Sequence, residues 1–137
     1  MTKTDAEPTK GWGFMNADNY GGGIGIKEKL RLVEGVDYDA AVTRLTGNET
    51  LYCELVKMFF EEDFLGRLRG ALQASDDCAA VLYAHSLKGT AANLGLNGLS
   101  SAAAKVEYAL RAGGLADAKT GFSALEKEYG DLRARLL

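Results

Sequence analysis

The sequence predicts an all-α protein, an antiparallel up-and-down four-helix bundle with one or two short helices before it. Three observations lead there. Beyond residue 25, apolar residues recur at spacings of three and four, the period of a helix with one buried face. Cap residues and glycines interrupt these stripes at short intervals, so successive helices have short links and run antiparallel. No convincing strand pattern, with its period of two, is present. With 137 residues, the chain suits one domain whose core needs neither metal nor disulfide.

Residues 1–25 read as a flexible, glycine-rich tail, and residues 26–137 as the helical domain. The tail holds Pro8 and a GGG run at 21–23, and glycine raises the entropic cost of ordering a segment. Its aromatics Trp12, Phe14 and Tyr20 are unusual for a linker, and either stay loosely held or pack on the domain or a ligand. The run IKEKLRLV at 26–33 forms a short helix, and the chain turns at Gly35. Asp37 caps a helix at 38–45, with Val42 and Leu45 facing inward. Thr46 with Glu49 has capping-box spacing, and Asn48 is an alternative cap for the next helix.

A long helix is expected at 49–73, with Leu51, Leu55, Met58, Phe59, Leu65, Leu68 and Leu72 as its apolar stripe. Gly66 and Gly70 weaken its second half. Ser75 starts a helix at 76–94, in which Ala80, Ala84, Leu87, Ala91 and Leu94 mark the core side and Gly95 the end. The next helix, 98–111, turns Leu99, Ala103, Val106 and Leu110 to one side. Gly113 and Gly114 make a turn, and the last helix, 115–136, carries a stripe from Leu115 to Leu136.

Composition excludes several functions. A formal charge of -3 without a basic tract argues against nucleic-acid binding, which needs a positive footprint. No run reaches the roughly 18 apolar residues of a membrane helix, and the first residues lack a signal-peptide core, so a cytoplasmic protein without direct membrane contact is expected. Cys53 and Cys78 read as reduced thiols, because no CxxC is present and two cysteines with one histidine make a poor metal set. GGGIG at 21–25 follows no strand and lacks the Lys-Ser/Thr partner of a nucleotide loop, so no ATP site is expected.

His85 is the single histidine, and it sits on the wrong side of its helix to be core. At about 100° per residue it points about 140° away from the core centre. Cys78, Val81, Leu82, Lys88, Gly89 and Ala92 lie within about 60° of it. That face is small and apolar with one positive charge, where the outside of a helix is normally polar. A docking surface around a titratable residue is one reading, and an incidental surface histidine the other. Neutral imidazole is a good nucleophile near neutral pH, and Lys88 reaches the same face to meet an anionic adduct. The Lys88 charge is then useful only when that adduct is present, with little part in folding. Gly89 costs roughly 1 kcal/mol of helix propensity against alanine. Either an approaching partner or close packing of another helix accounts for it. No Asp or Glu shares the immediate face of His85 to orient its ring, which argues against a hydrolase.

The run AHSLKGTAANLG at 84–95 resembles the signature of histidine-phosphotransfer domains, matching at His85, Leu87, Lys88, Gly89, Ala92, Leu94 and Gly95. The similarity continues through Leu99, Ala103, Val106 and Glu107, and upstream through the Gly-Asn turn at 47–48 and the Phe59/Phe60 pair, covering about residues 36–137. The resemblance implies a phosphocarrier, not an autonomous enzyme. Its histidine exchanges phosphoryl groups at Nε2 with the aspartate of a response-regulator receiver domain, in some cases one attached to a hybrid kinase. It also implies no cofactor in this chain, since the receiver supplies the Mg²⁺ and most of the transfer chemistry. Lys88 would steady the phosphoryl oxygens, and Gly89 and Ala92 would leave room for the partner. Val81 and Leu82 stand where relatives often carry polar residues. Phe60, Asp63 and Phe64 would extend the docking surface, and the module would be a monomer with this face free. The phosphoacceptor domain of a chemotaxis kinase and a receiver-binding bundle that is never phosphorylated are the alternatives.

Overall fold

The computed structural model describes residues 25–137; all of the expected tail except Gly25, including Trp12, Phe14 and Tyr20, lies outside them. The order is α1 (Ile26–Leu32), α2 (Tyr38–Arg44), α3 (Glu49–Glu61), α4 (Phe64–Gln73), α5 (Asp77–Asn93), α6 (Asn97–Arg111) and α7 (Leu115–Leu136). Among the described residues there is no strand, only an isolated bridge between Val36 and Leu96. Helix α5 packs along α4 and α6, α6 packs along α7, and α4 touches α7 to close the ring. The two short helices expected before the bundle are α1, packed on α3 and α7, and α2, packed on α3.

One type of signal starts four of the helices. The Asp37, Asn48, Asp63 and Asp76 side chains each accept the backbone N–H three residues on, at 3.0–3.1 Å. Asn48 is therefore the cap of α3, and Thr46 sits in the left-handed turn before it at φ 54°. Ser75 likewise occupies a left-handed turn at φ 54°, and Asp76, not Ser75, caps α5.

The expected helix 49–73 is two helices. Glu62 is extended, and Asp63 begins α4 by accepting the Gly66 N–H. A Cβ at position 66 would run into that carboxylate, so glycine there makes the cap possible rather than merely weakening a helix. The break also shifts the buried face of α3. Tyr52, Val56, Phe59 and Phe60 are buried, whereas Leu51 and Met58 are exposed and Leu55 is half-buried. A single stripe extended back from Leu65, Leu68 and Leu72 has the wrong phase once the helix is interrupted.

Tertiary bonds fasten these parts together. Tyr129 of α7 donates its hydroxyl to the Phe60 carbonyl and packs against Phe59 and Phe60, pinning the break. The buried Tyr52 hydroxyl donates to the Leu94 carbonyl at 2.7 Å, and the Asp37 N–H donates to the Gly95 carbonyl at 2.8 Å. Gly95 has φ 72°, and a Cβ there would collide with the Asp37 backbone, so this crossing requires glycine. At the start of α3, Glu49 accepts from Arg31 and Tyr38, joining α1 and α2 to the bundle.

Candidate functional site

Helix α5 turns Ala80, Ala84, Leu87 and Ala91 into the core and leaves the His85 side chain 58% exposed. The outward placement expected from the helical wheel is observed. Around it, Cys78 and Gly89 are exposed, Leu82 is 61% exposed, and Val81 and Ala92 are half-buried. A Cβ added at Gly89 would meet nothing within 4 Å, so no neighbouring helix requires glycine there.

The ring is oriented by a residue from another helix. Glu107 of α6 is the buried charged residue among those described. Its Oε2 lies 3.0 Å from His85 Nδ1, and its Oε1 lies 2.8 Å from Lys88 Nζ. Arg111 donates to the same Oε2 through Nε at 2.9 Å and Nη2 at 2.7 Å. The expectation that no carboxylate orients His85 is thus overturned. A wheel drawn for one helix cannot show a group that arrives from its neighbour.

These contacts set the state of both groups. Hydrogen bonds from Lys88, then Arg111 and His85, outweigh burial and hold the Glu107 carboxyl down at about 2. At neutral pH an ionised carboxylate only accepts, so the Nδ1 that faces it carries the proton. The lone pair of the neutral ring is then on Nε2.

Lys88 also differs from its expected role. Its side chain is 34% exposed and paired with Glu107, so its charge has a partner without any adduct. Lys88→Ala is therefore expected to lower stability, because it removes one counter-ion from a buried carboxylate. The Lys88 carbonyl is tied to α6 by the Ser100 hydroxyl at 3.1 Å.

The residues expected to extend the surface from the preceding helices are separated. Phe60 is 5% exposed and packs against Phe59 and Tyr129, so it belongs to the core and not to a docking face. The break at Glu62 brings about that inward turn. Asp63 is exposed but serves as the α4 cap. Phe64 is half-buried and lines a shallow groove with Leu55, Met58, Thr90 and Asn93.

Glu107 and Arg111 were missed as site residues, although each left a signal. A carboxylate next to Val106 and three residues before Leu110 interrupts the apolar seam of α6. Arg111 stands four residues on, the spacing of a helical ion pair.

The depressed Glu107 carboxyl has a measurable consequence. It contributes stability above its ordinary value of 4.5, and this is lost as pH falls toward 2. Glu107→Gln is expected to be less stable than wild type at pH 7, by on the order of 2 kcal/mol, with the gap narrowing from about pH 5 downward and closing toward pH 2. Other acidic groups remain in both proteins and cancel in the difference. Melting curves at matched ionic strength would refute the assignment if the gap were as wide at pH 3 as at pH 7.

Among the described residues, no group of His, Cys, Asp and Glu is arranged to hold a metal ion, and no helix is long and apolar enough to cross a membrane. A family model described as the Hpt domain matches residues 54–135, more than half of the chain, including all of α5 and α6. No curated protein and no solved structure matches.

Proposed function

Because the chain belongs to the Hpt domain family of phosphorelay signalling, we propose that His85 is its phosphoacceptor, exchanging a phosphoryl group with a receiver-domain aspartate. The carrying observation is the His85–Glu107 contact at 3.0 Å on an exposed helix face. With the proton on Nδ1, Nε2 attacks phosphorus without first losing a proton. The N–P bond forms as the P–O bond to the receiver aspartate breaks, and the aspartate leaves as a carboxylate. The phosphorylated ring keeps its Nδ1 proton and gains positive charge, which the Glu107 carboxylate stabilises. The return reaction reverses these steps, with the aspartate oxygen attacking phosphorus.

The receiver supplies the acidic pocket and Mg²⁺, and docks over Leu82, Val81, Gly89 and Ala92. Met58 and Phe64, across the groove from Thr90 and Asn93, extend that surface. The module works as a monomer, since a dimer through Val81 and Leu82 would cover His85. The phosphoacceptor domain of a chemotaxis kinase would use the same chemistry. A bundle that only binds receivers would have no use for an oriented, exposed imidazole.

The test mixes the protein with a phosphorylated receiver and follows the label onto the chain. A phosphoramidate on His85 is expected, labile in acid and stable in base. Label that survives acid, or no label with any receiver or small donor, would overturn the assignment.

A further inference from the structure

Glu107 has more cationic partners than one carboxylate needs. Lys88 holds Oε1, and Arg111 holds Oε2 through two N–H groups. The carboxylate side chain is 7% exposed, whereas Lys88 and Arg111 are 34% and 59% exposed. A buried carboxylate loses its last counter-ion only at a large desolvation cost. If Lys88 were the sole cation on Glu107, it could not leave to meet a phosphoryl group.

The two oxygens divide the work. Oε2, the one that Arg111 holds, is also the one that orients the His85 ring. The Lys88 oxygen, Oε1, is not the ring's acceptor. Lys88 leads from the same helix as His85, one turn on, and ends in a rotatable ammonium on a flexible stem. Arg111 is a planar donor making two bonds, and it sits in the last turn of α6, where the helix dipole favours a positive charge.

We propose that Arg111 is a positioning residue that keeps Glu107 neutralised and the His85 ring aimed while Lys88 leaves Glu107 for the phosphoryl group. The inference rests on the carrier reading of His85 and adds an exchange of partners to it. Before phosphorylation Lys88 pairs with Glu107. Afterwards it pairs with phosphoryl oxygens, and Arg111, with the charged ring on the same oxygen, answers the carboxylate.

The test labels the full chain with phosphoramidate, a small donor that needs no receiver. Its P–N bond breaks as Nε2 bonds to phosphorus, and ammonia leaves. The rate of labelling, the lifetime of the adduct and the melting transition are measured for each variant. Arg111→Ala should slow labelling roughly tenfold and shorten the lifetime, because Lys88 is then retained by Glu107. Arg111→Lys should recover part of the loss. Glu107→Gln in the Arg111→Ala background should label faster than Arg111→Ala but short of wild type, since a neutral amide still accepts from Nδ1 and no longer holds Lys88, yet cannot stabilise the charged ring. Arg111→Gln replaces Arg111→Ala if that variant does not fold. Wild-type rates in Arg111→Ala, or a double variant no faster than Arg111→Ala, would overturn the exchange. An unlabelled wild type would overturn the carrier reading, and the exchange with it.

Discussion

His85→Gln is expected to take no label from a phosphorylated receiver or from phosphoramidate, with helical content and melting transition close to wild type. The loss should be complete because no second histidine exists in the chain to accept the group. The fold should survive because the side chain is 58% exposed and its helix is anchored by Ala80, Ala84, Leu87 and Ala91 on the opposite face. Glutamine can donate its amide N–H to Glu107, so the carboxylate keeps a neutral partner beside Lys88 and Arg111. Loss of label with an intact melt would separate chemistry from folding. Persistent label would move the acceptor elsewhere and remove His85 from the mechanism.

The second large effect concerns access. Gly89→Gln is expected to cut transfer from a receiver roughly a hundredfold while stability holds or rises by about 1 kcal/mol, the helix propensity that glycine forgoes. The position is exposed, one turn from His85, and a Cβ there touches nothing, so the new side chain projects over the face a receiver must approach. Phosphoramidate is small enough to pass, and its labelling rate should fall far less. Donor size therefore distinguishes blocked docking from a damaged nucleophile. Equal losses with both donors would point to altered chemistry at His85, and lost stability with intact transfer would restore the packing explanation of Gly89.

Much of the bundle was legible because its signals are local. Asp37 reads as a cap wherever it precedes an apolar period, and α5, α6 and α7 lie within a residue or so of their expected limits. The α3–α4 break was harder to read. Asp63 and Gly66 form a cap only together, and in sequence the apolar period runs through them as though the helix continued. That misreading also placed Phe60 outside the core. Tyr52 and Tyr129 were not read as ties because their acceptors, the Leu94 and Phe60 carbonyls, are 42 and 69 residues away.

The same division holds at the site. By itself the sequence determined the all-helical class, the exposure of His85 on α5, the placing of Lys88 and Gly89 beside it, and the resemblance those residues carry. Each depends on spacing within one helix, and 100° per residue is enough to compute it. Only the tertiary structure decided that Glu107 orients the ring, that Lys88 is already paired, and that Arg111 shares the load. Those facts depend on how α6 lies along α5. Helix period is encoded locally, whereas the facing of two helices emerges only when their side chains pack.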